Sequence, residues 1–143
     1  QSVSLRVFSC YGPGLRKQIF WDVFQKSRRS KTITLFGTGE EARDFIYVDD
    51  LAHAIKSVID GGSFDGRVIN AASGRMVTIS EAIGTFLSHL GADYEVVFTG
   101  AARRGDPDRW VADISYLSSL GFRPRHDMNT GLERTAAWLI AQG

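Results

Sequence analysis

Hydrophobic positions alternate along the chain between two spacings, and this pattern predicts the elements. Residues 5–11, "LRVFSCY", read as a strand stopped by Gly12, Pro13 and Gly14, a cluster that favours a turn. In "KQIFWDVFQKSRR", Ile19, Phe20, Val23 and Phe24 recur at one-, three- and four-residue steps, which predicts an amphipathic helix. The basic run "KSRRSK" at its end suits the negative end of the helix dipole. "TITLF" then alternates as a short strand, and "RDFIYV" alternates again, with Phe45 and Tyr47 opposed to Ile46 and Val48. A helix follows in "DDLAHAIKSVIDGG", opening on acidic residues and closing on Gly61 and Gly62. "RVINAA" is a strand that ends at Gly74. "TISEAIGTFLSHLG" is a helix in which Thr78 and Glu81 have capping-box spacing and Gly91 is the stop. "YEVVFTG" predicts a strand, "DISYLSSLGF" a short helix, and "TGLERTAAWLIAQ" a last helix with Leu132, Ala136 and Leu139 aligned. Alternating strands and helices, with no repeat or low-complexity linker, predict an α/β architecture containing parallel strands.

Composition narrows the class. A chain of 143 residues with 43% hydrophobic and 23% charged residues suits one globular domain able to bury a core. Its 17 basic and 16 acidic residues give a formal charge of +1, so net charge implies no polyelectrolyte partner and nucleic acid is not favoured. Cys10 stands alone, which excludes an internal disulfide, and His53, His89 and His126 are too scattered to suggest a metal site. A reducing cytoplasmic setting fits. No apolar run reaches the roughly 18 to 20 residues that span a bilayer, and residues 1–6 lack the form of a signal peptide. A strand beginning at about the third residue, with no lead-in, is also how a fragment begins.

The segment "ITLFGTGEEARDFIYVDD" holds Gly37, Gly39 and Ala42 in the order G-x-G-x-x-A. A dinucleotide turn must open directly into a helix whose free N–H groups hold the pyrophosphate. Here it opens into β-branched and aromatic residues, and the next helix is expected only near Asp49 or Asp50. A hairpin or a tight connection between two short strands is the better reading. Beside it, Arg43 has a planar fork suited to phosphate, although a surface pairing with a carboxylate would explain it equally well. A second polar loop, "AARRGDPDRWVAD", supplies arginines for phosphate and aspartates that can accept hydrogen bonds from a sugar diol.

In order along the chain, "LRVFSCYGPG", "ITLFGTGEEARDFIYVDDLAHAI", "VINAASG", "TISEAI", "RRGDPDRWVADISYLSSLGFRP" and "GLERTAAWL" resemble the C-terminal half of the extended short-chain dehydrogenases/reductases that act on nucleotide sugars. This is the UDP-glucose 4-epimerase-like NAD-dependent epimerase/dehydratase family, and the resemblance covers essentially the whole chain. It implies the C-terminal part of an extended Rossmann-fold enzyme, with strands of the parallel sheet plus a small α/β substrate-binding subdomain, over residues 1–143. Position by position, it implies that Arg43 contacts the sugar nucleotide's diphosphate and that Arg103 and Asp106 serve phosphate and ribose. Phe36, just before the first glycine, would pack near the base, and Lys17 or Gln18 would lie over the nucleotide. Ser9 stands where the family usually has asparagine, near cofactor and substrate phosphates. The neighbouring Cys10 reads as a buried, inert thiol.

No tyrosine has a lysine four residues on, and no glycine-rich NAD turn is present, so no catalytic residue is expected in these residues. The implied protein uses NAD on a UDP-, GDP- or dTDP-sugar for polysaccharide or surface-glycan precursors, as a cytoplasmic homodimer with no membrane or nucleic-acid partner. A non-catalytic, stand-alone nucleotide-sugar binding module is the alternative.

Overall fold

The computed structural model describes residues 1–101, 105 and 108–142. Arg103 and Asp106 therefore lie outside the described residues. The apolar run at the start is two strands rather than one: β1 (Ser4–Val7) pairs in parallel with β5 (Val68–Ala71), whereas β2 (Ser9–Tyr11) pairs in parallel with β4 (Ala42–Tyr47). Phe8 is the changeover, still held to the first sheet by its N–H donating to the Ala71 carbonyl at 3.1 Å. On its far side β4 takes β6 (Met76–Thr78), antiparallel, and β3 (Thr32–Leu35) pairs in parallel with β7 (Glu95–Phe98). Since β3 joins β7 and not β4, the glycine segment between β3 and β4 is a tight connection and not a hairpin. Strand β6, three residues long, is an addition to the elements expected from the sequence.

The helices are α1 (Gln18–Ser27), α2 (Val48–Gly61), α3 (Ile79–Ser88), α4 (Ser115–Ser119) and α5 (Met128–Gln142). Helix α3 begins with the expected reciprocal cap: the Glu81 N–H donates to Thr78 Oγ1 and the Thr78 N–H to Glu81 Oε2, each at 3.2 Å. Each bond satisfies a donor that the helix itself leaves open.

Strand β4 divides two cores, as its alternation requires. Phe45 and Tyr47 face a cluster built with Tyr11, Phe20, Phe24, Phe86 and Leu132, the last four from α1, α3 and α5. Ile46 faces the opposite cluster with Val58, Ile69, Leu117 and Phe122. Two carboxylates tie the layers together from inside. Asp44, 1% exposed, accepts from the Ser73 N–H and Oγ, the Gly74 N–H and the Ala112 N–H at 2.7–3.1 Å. Asp50, also buried, accepts from the N–H groups of Arg125 and His126 and meets His126 Nδ1 at 3.1 Å. Helix α5 packs closely enough on Tyr11 that residue 131 must lack a side chain: a Cβ on Gly131 would overlap the Tyr11 hydroxyl and ring.

Candidate functional site

The alternation that fills the cores also aims polar groups at one open cleft of about 860 Å³. On β2, Tyr11 turns into the core and Ser9, two residues earlier on the same face, lines the cleft. On β4, Phe45 and Tyr47 share their face with Arg43, which also reaches the cleft and donates from Nη1 to the Ala42 carbonyl at 2.9 Å. After β3, with Ile33 and Leu35 inside, Phe36 falls on the outward side and is 62% exposed at the cleft. Gln18 enters from the start of α1, in the left-handed region with φ 64°, a conformation that costs a non-glycine residue roughly 1–2 kcal/mol. Four expected site residues, from four separate segments, thus meet in one space of a size ordinary for small-molecule sites.

Lys17 does not line this cleft. It borders a small recess beside it, with Leu15, Phe20, Trp21 and Thr135, that shares Gln18 as a wall. Of the second polar loop, Asp108 lines the cleft; its carbonyl accepts from the Ala42 N–H at 2.8 Å, and the Trp110 N–H returns to the Ala42 carbonyl at 3.1 Å. The chain on the C-terminal side of Arg103 and Asp106 is therefore fastened beside Arg43. Asp22, Lys26 and Glu41 also line the cleft. Nothing in the sequence singles them out, because a charged i,i+4 pair on a helix and an acid in a turn look like ordinary surface.

Glu41 explains the glycine motif. Its carboxylate accepts from the Thr38 N–H at 2.9 and 3.2 Å and from the Gly39 N–H at 2.9 Å. Gly37 and Gly39 take φ of 89° and 88°, which turns their neighbouring amides toward that carboxylate. The Thr38 amide hydrogen bond, foremost, holds the Glu41 carboxyl below its usual range. The turn has its own anion and leads into β4 instead of a helix. It therefore does not fit a dinucleotide. Cys10 is half-buried beside the Ile46 cluster, and burial pushes its thiol up, away from the reactive thiolate.

The family model for the NAD dependent epimerase/dehydratase family matches residues 1–72. A dTDP-glucose 4,6-dehydratase of Streptomyces griseus is 34% identical over 107 residues, covering 74% of this chain and 32% of that protein. A putative UDP-glucose 4-epimerase of Methanocaldococcus jannaschii is 26% identical, covering 80% of this chain and 36% of that protein. The UDP-glucuronic acid 4-epimerase of Bacillus cereus, solved in complex with UDP-glucuronic acid and NAD, superposes with a TM-score of 0.87 at 27% identity, over 99% of this chain and 46% of that one. The chain thus has the α/β fold of those Rossmann-type enzymes and spans about a third of these curated relatives and under half of the solved one. No described helix is long and apolar enough to cross a membrane.

Proposed function

The chain belongs to the NAD-dependent epimerase/dehydratase family, and on that premise we propose that residues 1–143 are the C-terminal, sugar-nucleotide-binding portion of such an enzyme. The observation that carries this reading is the convergence of Ser9, Gln18, Phe36 and Arg43 on one cleft. Arg43 supplies a charge-assisted fork for a diphosphate, Phe36 an exposed ring for a base, and Ser9 and Gln18 hydrogen-bonding groups between them. Arg103 and Asp106, from the loop fastened at Asp108, complete the grip on phosphate and ribose. Lys17 reaches the nucleotide from the rim. The ligand is a UDP-, GDP- or dTDP-sugar, and the physiological setting a cytoplasmic, homodimeric enzyme of surface-glycan precursor synthesis.

Holding the nucleotide is what this portion contributes to catalysis, since a fixed diphosphate places the sugar for chemistry carried out by other residues. The main NAD site belongs to the rest of the enzyme, and Ser9 is the described residue we assign to the border between nucleotide and cofactor. Strands β1 and β5 support a docked second portion: they form a two-stranded parallel sheet with Val7 and Val68 exposed at 45% and 54%, whereas parallel sheets are ordinarily covered on both faces.

Calorimetric titration with UDP, GDP and dTDP tests the reading. At least one should bind saturably, and Arg43→Ala should weaken it by about 1.5–3 kcal/mol, the range of a hydrogen bond to a charged group. Unchanged affinity in that variant would remove the diphosphate role.

A further inference from the structure

We propose that the cleft selects a guanine base and that Asp22 is the residue that reads it. This deepens the nucleotide reading above and rests on it.

Helix α1 places Gln18, Asp22 and Lys26 along the cleft at four-residue steps, hence on one helical face, over about 12 Å at a rise of about 1.5 Å per residue. The two ends of that face have different surroundings. Gln18 is at the end reached from β2, the strand carrying Ser9, through residues 12–17. Lys26 is fastened to β3, its Nζ donating to the Thr34 carbonyl at 3.2 Å, two residues before Phe36. In this proposal the base occupies the part of the cleft lined by Phe36, Asp22 and Lys26, and the diphosphate the part lined by Ser9, Gln18 and Arg43. A base lying on the exposed Phe36 ring presents its edge to that acid and ammonium.

The chemistry of the pair discriminates among bases. Lys26 Nζ lies 2.7 Å from Asp22 Oδ2, which fixes the carboxylate while leaving most of its acceptor directions open. An ionised carboxylate only accepts, so its natural partner is an edge with two adjacent N–H donors. Guanine has that edge in its ring N1–H and exocyclic amino group, with a carbonyl next to them to take a hydrogen bond from Lys26. Uracil and thymine offer one N–H between two carbonyls, whose lone pairs would oppose the second carboxylate oxygen. Adenine and cytosine set a ring acceptor beside the amino group. A site whose polar groups are left unpaired by the wrong ligand discriminates strongly.

The test compares affinities of the 143-residue chain for GDP, UDP and dTDP by calorimetry, with Asp22→Ala and Arg43→Ala beside the parent. Asp22 has a side chain 55% exposed, so the substitution removes no core packing. GDP should bind at least about tenfold tighter than UDP or dTDP. Asp22→Ala should abolish that preference by weakening GDP alone, whereas Arg43→Ala should weaken all three together. UDP or dTDP binding as tightly as GDP, or Asp22→Ala weakening the three equally, would overturn the guanine assignment and leave the nucleotide site standing. No binding of any of the three would overturn the nucleotide site itself, and the assignment with it.

Discussion

Replacing Asp44 by asparagine changes almost no volume, yet the structure predicts a large loss of stability. The native carboxylate presents two oxygens to four donors: Oδ1 accepts from the Ser73 N–H at 2.8 Å and its Oγ at 2.7 Å, and Oδ2 from the Gly74 N–H at 3.0 Å and the Ala112 N–H at 3.1 Å. At 1% exposure the carboxylate is shut off from bulk solvent. An amide has one oxygen. Whichever way the substituted side chain is turned, its amino group faces backbone donors, one of them from Ser73 or two from Gly74 and Ala112. Each buried donor left open costs about 1–3 kcal/mol, and the surviving bonds lose their charge assistance, so Asp44→Asn should destabilise by about 2–4 kcal/mol. Asp44→Ala should cost about 3–5 kcal/mol, as expected when one partner of a buried charged network is removed. Urea unfolding followed by circular dichroism measures this as a lower midpoint with an unchanged slope. A loss below about 1 kcal/mol for the asparagine variant would refute the claim that these four bonds hold β4, the β5–β6 turn and the approach to α4 together.

Two further substitutions probe separate contacts. Gly131→Ala, which in an open helix would stabilise by about 1 kcal/mol, should instead destabilise by about 1–3 kcal/mol because the new methyl would overlap Tyr11, and thermal unfolding decides the sign. Glu41→Gln should destabilise the glycine turn in a pH-dependent way. The folded-state carboxyl titrates below its unfolded value, so the advantage of the parent is full above the ordinary glutamate pKa and is lost as pH falls through the lowered one. Urea midpoints of the two proteins should converge on acidification, and a constant gap would show that the ionised form is not what the Thr38 and Gly39 amides hold.

Much of this architecture is legible in the sequence because burial is periodic. The alternation in "RDFIYV" places Phe45 and Tyr47 in one core and Ile46 in the other, and the Thr78–Glu81 spacing fixes the start of α3. What fails is set by partners distant in sequence. Nothing in "LRVFSCY" marks a break at Phe8; the break arises because Val7 finds Ala71 while Ser9 finds Phe45. Residues 76–78 are too few to show a period, and they become a strand only by pairing with β4. In the cleft, Arg43, Phe36, Gln18 and Ser9 are motif positions that a resemblance can carry. Asp22, Lys26 and Glu41 are not legible, because only the folded chain shows that the helix face and the turn look inward. Asp44 reads as the second letter of an Arg-Asp motif, yet the same alternation that exposes Arg43 to the cleft buries its neighbour as a structural acceptor.

The nucleotide reading stands or falls on whether the cleft between α1, β2, β4 and the turn after β3 receives a nucleoside diphosphate. Titrating isotopically labelled chain with GDP, UDP or dTDP and following backbone amide resonances tests this most directly. The largest shifts are expected on Ser9, Gln18, Phe36, Gly37 and Arg43. Shifts confined to residues that do not line the cleft, such as Arg67 and Tyr116, whose guanidinium lies 4.5 Å from the ring centre, would contradict it.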